Sequence, residues 1–106
     1  MRVLLDACVP KGLRKSLLGH EARKAPEMGW DDLDNGELLD AMNGLFDAPV
    51  TVDKRLQQQQ HITDRALGVV VLRAKSNHLS DLLPLVPELL AALSTLEVGA
   101  VKELAG

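Results

Sequence analysis

Short apolar runs that stop at a carboxylate recur along this chain. Val3-Leu4-Leu5 stops at Asp6, and the run Ala48 to Val52 stops at Asp53. Runs that are apolar at every position and too short for a helix predict strands covered on both faces. Gly68 to Leu72 predicts another, and His20 to Lys24 a weaker one. Between them the spacing turns helical. Lys11 to Leu18 sets Leu13, Leu17 and Leu18 against Lys11, Arg14 and Lys15 on the opposite side, with Gly19 as the stop. A loop follows through Pro26, Gly29 and Trp30 to Asp34. Asn35 predicts the N-cap of a helix over about Gly36 to Gly44, whose inward stripe is Leu38, Leu39 and Met42. Leu79 to Leu96 predicts one long helix, or two broken at Pro84 and Pro87. Val98 to Leu104 reads as an edge strand or a frayed tail. Strands alternating with helices need crossover connections, so the pattern predicts an α/β fold with a mainly parallel sheet and helices on its faces.

Composition narrows the picture. At 106 residues, 46% of them hydrophobic, the chain predicts a single domain over 1–106 with a real core. Trp30 and Phe46 are its only aromatics, so Leu, Val and Ala must fill that core, which weakens any reading based on stacking single-strand bases on a platform of aromatic rings. The net charge of -3 argues against a general nucleic-acid coat protein. An enzyme touching nucleic acid locally stays compatible with it. Cys8 stands alone, so no intramolecular disulfide forms. The N-terminal apolar run is broken at Asp6, too early for a signal peptide or a membrane span, and the expected setting is cytoplasmic. No internal repeat is visible, and Gln57 to Gln60 reads as part of a polar helix.

The chemistry rests on the strand-end acids. In open parallel sheets the ligand crevice lies outside the carboxyl ends of the strands, where connections diverge to opposite faces. If the strands ending at Asp6 and Asp53 are neighbours there, the two carboxylates repel unless a cation lies between them. Mg²⁺ and Mn²⁺ suit such oxygen donors. Glu37, in the first turn of the next helix, is the candidate third acid, with Asp40 three residues on as the alternative. Taken singly, each acid is better read as a helix cap or a macrodipole partner; the strand-end pair together favours a site. Thr51 reads as a strand residue or a hydrogen-bond donor behind the site, and Asn77 as part of a surface turn. His20, His61 and His78 lack zinc-site spacing. Cys8 has no evident activating base and reads as a buried structural thiol. Gly29, Gly36 and Gly44 do not form a dinucleotide fingerprint. Trp30 is a lid, a dimer contact or a core plug.

Leu4-Leu5-Asp6 with Pro10, the pairs Gly19-His20 and Gly29-Trp30, Asn35-Gly36-Glu37-Leu38-Leu39, and Thr51 to Gln59 with its Thr-x-Asp form occur in an order that resembles the small PIN-like proteins, a branch of the PIN nuclease superfamily, over nearly the whole chain. The resemblance implies a three-layer α/β/α sandwich with a central parallel sheet. It implies Asp6, Glu37 and Asp53 as the metal-binding and catalytic set, with Mg²⁺ or Mn²⁺ and RNA as substrate. It further implies homodimers and, in toxin-antitoxin pairs, a small antitoxin that blocks the pocket. The chain departs from the pattern at Ala7 and Arg55, where related chains often carry acids, and at Asn35, where broader relatives show Asp.

Two functions follow. One is a metal-dependent ribonuclease, a toxin if the resemblance extends that far, contacting substrate through Lys11, Arg14, Lys54 or Arg55, each of which taken alone reads as part of a solvated basic face. The other is a non-catalytic module that dimerises or binds a partner protein through Leu82, Leu83, Leu85, Val86, Leu89, Leu90 and Leu93, more leucine than one face of a small domain usually buries.

Overall fold

The three inner strands of the sheet form where the apolar runs lie. The computed structural model describes residues 1–17, 19–52 and 67–105. Strands β1 (Arg2–Leu5), β2 (Glu21–Lys24), β3 (Ala48–Thr51), β4 (Val69–Arg73) and β5 (Val101–Ala105) make one sheet in the order β2-β1-β3-β4-β5. Every neighbouring pair is parallel. Helix α1 (Asn35–Met42) lies before β3, and helices α2 (Leu79–Leu82) and α3 (Val86–Thr95) lie between β4 and β5.

Alternation along each strand divides the core in two, because successive strand side chains point to opposite faces. Val3, Leu5, Val70 and Leu72 pack with Leu82, Leu89 and Leu93 of α2 and α3. Leu4, Val69 and Val71 pack with Leu38, Leu39 and Met42 of α1. The result is a three-layer α/β/α sandwich. Each fully buried leucine contributes roughly 1.5–3 kcal/mol, and burial on both sides explains why β1, β3 and β4 carry almost no polar residue.

Several local expectations shift. Lys11–Ser16 is a 3₁₀ helix rather than an α-helix; it is closed by i→i+3 bonds such as Leu13 N–H to Pro10 O at 3.1 Å, the tighter form used in short connectors. Helix α1 starts one residue early because Asp34, not Asn35, is its cap: Asp34 Oδ1 accepts the Glu37 amide at 2.8 Å and Glu37 Oε1 accepts the Asp34 amide at 3.2 Å. The leucine-rich region is two helices joined by a 3₁₀ turn, Leu83–Leu85, with Pro84 and Pro87 at the starts of their segments. Its apolar side chains pack on the sheet, and of the seven named above only Leu83 is exposed. The chain's last described segment is the edge strand β5, in register with all five residues of β4. Trp30 plugs the core on the α1 side, its ring edge-to-face with Phe46 at 5.9 Å and 77°. No described helix is long and apolar enough to cross a membrane.

At the amino edge of the sheet, Asp47 clamps β1. Its Oδ2 accepts the Arg2 amide at 2.7 Å, and its own amide donates to Arg2 O at 2.8 Å. The Arg2 amide first, and then the Arg2 guanidinium, hold the Asp47 carboxyl below its ordinary value. A carboxyl depressed in the folded chain stabilises it above the unfolded value and loses that effect as pH falls through the folded one. Asp47→Asn is therefore expected to cost about 1 kcal/mol at pH 7, solvent screening keeping the figure small, with the difference vanishing in urea titrations at the acid end. Gly68 marks the closest approach in the core: a Cβ there would stand 2.6 Å from Leu96 Cγ and 2.7 Å from the Glu97 carbonyl oxygen. Because a backbone oxygen cannot rotate away, Gly68→Ala should lower stability by about 1–3 kcal/mol in thermal melts. An unchanged midpoint would show that the turn after α3 yields freely.

Candidate functional site

Two strands leave the sheet side by side. With β2 on one flank of β1 and β3 on the other, the order reverses at the β1/β3 boundary, the position where doubly wound sheets open a crevice beyond their carboxyl ends. Asp6 prolongs β1 by one residue, its amide donating to Val50 O at 3.0 Å. That bond holds Asp6 beside the end of β3.

Both carboxylate oxygens are then fixed. The Ala7 amide donates to Asp6 Oδ1 at 2.8 Å, and the Thr51 hydroxyl donates to Oδ2 at 2.8 Å. Thr51 is fully buried, the one buried polar side chain among the described residues, so its hydroxyl must be paired to avoid a desolvation cost of about 1–3 kcal/mol. Asp6 itself is half-buried. The Cys8 thiol donates to the same Oδ2 at 3.6 Å and lies 3.7 Å from Thr51 Oγ1. Burial pushes the Cys8 thiol up from its ordinary value, the Asp6 charge adds to the rise, and the Val52 amide and Thr51 hydroxyl oppose it.

The other predicted site residues are placed differently. Asp53, Lys54, Arg55 and His61 lie outside the described residues, as do the side chains of Lys11 and Asn35. Glu37 sits in the first turn of α1 with its carboxylate on the Asp34 amide. Asp40 is exposed one turn further on. Among the described residues no three His, Cys, Asp or Glu side chains come together to hold a metal ion, so Asp6 and Glu37 do not make a centre without further donors. Arg14 forms an ion pair with Glu27. His20 is half-buried and His78 exposed.

Two residues with a larger part were not foreseen. Asn77 Nδ2 donates to the Cys8 carbonyl at 3.0 Å, tying the segment after β4 to the segment after β1. Lys24, the last residue of β2, donates from Nζ to the Ala7 carbonyl at 3.4 Å. Their one sequence signal is position, at or just past the carboxyl end of a strand. Asn77 stands between two hollows on that edge. One, of about 310 Å³, is lined by Val52, Leu72, Arg73, Ala74, Ser76 and Asn77. The other, of about 330 Å³, lies over Ala7 to Pro10 and is bounded by Lys24, Asn77, His78 and Leu79.

No protein-family model, no curated protein and no solved structure matches the chain. The geometry around Asp6 therefore has to carry the functional argument.

Alkylation of Cys8 reads that geometry directly, because only the thiolate reacts. In metal-free buffer, Asp6→Asn removes one cause of the raised thiol value, so the rate against iodoacetamide near pH 8 should increase and its inflection should move to lower pH. A rate equal to wild type would mean that the Asp6 charge is not felt at the sulfur.

Proposed function

We propose that this chain is a Mg²⁺- or Mn²⁺-dependent ribonuclease of PIN type. Asp6 and Asp53 serve as direct ligands, and Glu37 binds metal or positions water. The observation that carries the reading is a carboxylate anchored at the β1/β3 boundary by Thr51, a residue two positions ahead of Asp53 in the sequence. An acid that only capped the following segment would need the Ala7 amide alone; Asp6 is also oriented from the neighbouring strand.

The donor chemistry fits a hard cation. Asp6 offers carboxylate oxygens at a half-buried position, the ligand type that Mg²⁺ and Mn²⁺ prefer. A bound cation would supply charge stabilisation at a phosphodiester and an activated water. The chain's own part is positional. Thr51 and the Ala7 amide keep Asp6 from turning, and Glu37 must exchange its bond to the Asp34 amide before it can serve the site. A cytoplasmic setting, a homodimer and a small neutralising antitoxin belong to the same proposal. The alternative of a leucine-built docking module has less exposed surface to work with, because six of its seven apolar residues are buried or half-buried against the sheet and only Leu83 is exposed.

Calorimetry with Mn²⁺ tests this reading. Wild type should give a saturable heat, and Asp6→Asn and Asp53→Asn should each weaken it at least tenfold, about 1.4 kcal/mol or more. Cleavage of single-stranded RNA should require Mn²⁺ and disappear in both variants. Absence of heat from folded wild type would end the proposal.

A further inference from the structure

We propose that the hollow between Lys24 and His78 is a phosphate-binding subsite, placed next to the acid at the end of β1. Its walls are Ala7, Cys8, Val9, Pro10, Lys24, Asn77, His78 and Leu79, with a volume of about 330 Å³. None of these side chains is a carboxylate, in a chain whose net charge is -3.

Lys24 is the decisive residue. Its register partner is Leu5, which sets it one strand away from Asp6 on the same edge. Glu27, three residues on, takes the Lys24 backbone amide at 2.9 Å and is neutralised by Arg14. Among the described residues no carboxylate pairs with the Lys24 ammonium, whose one partner is the Ala7 carbonyl at the long distance of 3.4 Å. An ammonium with two donors to spare, carried by a half-buried lysine that lines the same hollow as the exposed His78, attracts an anion of compact shape. A phosphate group fits by charge and by its several acceptor oxygens. Asn77 holds the wall together by fixing the Cys8 carbonyl. Positive hollow and acidic strand end thus stand side by side, an arrangement that would seat one phosphate of a strand while its neighbour lies at Asp6. That last step rests on the nuclease reading; the binding of phosphate does not.

The test is a titration of the whole chain with inorganic phosphate in EDTA at constant ionic strength, followed by NMR of the Lys24 and His78 side chains. Saturable shifts confined to this hollow are expected, with binding weakened about tenfold by Lys24→Met or His78→Ala and retained by Lys24→Arg. Amide spectra of each variant establish that it is folded. Asp6→Asn, which should abolish Mn²⁺ heat, should bind phosphate at least as tightly as wild type, so the two sites fail or succeed separately. Competition by a dinucleoside monophosphate assigns the subsite to a backbone phosphate, and competition by a 5′-mononucleotide alone assigns it to a terminal or free one. Shifts that never saturate, or a Lys24→Met variant that binds as wild type does, would overturn the proposal.

Discussion

The middle strands of this sheet are covered from both sides, and that requirement decides where every other group can go. Val3, Leu4, Leu5, Val50 and Val69 to Val71 are wholly withdrawn from solvent, so a polar side chain on β1, β3 or β4 has to wait for the strand to end or find a partner inside. Asp6 waits, appearing at the first position past β1. Thr51 stays inside and satisfies its hydroxyl on Asp6. One bond answers both demands, and it links residues 45 positions apart in the chain.

That same requirement made the strands legible in the sequence, because an uninterrupted run of Val and Leu has few uses other than a buried strand. The helix ends were harder. Asp34 and Asn35 are both good caps, and hydrophobic spacing cannot separate adjacent positions; what selects Asp34 is Glu37 three residues later, which closes the reciprocal pair. The 3₁₀ form of Lys11–Ser16 had no clear trace either, since Leu13 and Leu17 are spaced for an α-helix. Gly12 shows how closely that segment packs: a Cβ there would lie 2.7 Å from Leu79 Cδ2.

Of the site, the parts carried by strand ends could be read, and the parts carried by side chains meeting across the edge could not. Nothing near Asn77 in the sequence signals a bond to the Cys8 carbonyl, 69 positions away. In the sequence Lys24 is only the last residue of a weakly patterned strand. Its neighbours in space give it meaning, because Arg14 takes up Glu27 and, among the described residues, no carboxylate pairs with the ammonium. Pairwise sequence spacing sees helical neighbours at three and four residues; it is blind to which of two cations an acid will choose.

The acceptor count at Asp6 sharpens what this edge can do. An ionised carboxylate offers about four lone-pair sites. The Ala7 amide takes one on Oδ1, and the Thr51 hydroxyl and Cys8 thiol take two on Oδ2. The thiol is the weak member, at 3.6 Å, whereas the amide and hydroxyl bonds at 2.8 Å are of full strength. A cation arriving at Asp6 would therefore meet one unclaimed site on Oδ1 and one on Oδ2 that only a thiol defends. Thr51 and Ala7 do not have to move for it to bind. The carboxylate is held in place from its own segment and from the neighbouring strand and still has capacity, whereas Asp34 and Glu37 are each tied by one bond to the other's backbone amide in a reciprocal cap.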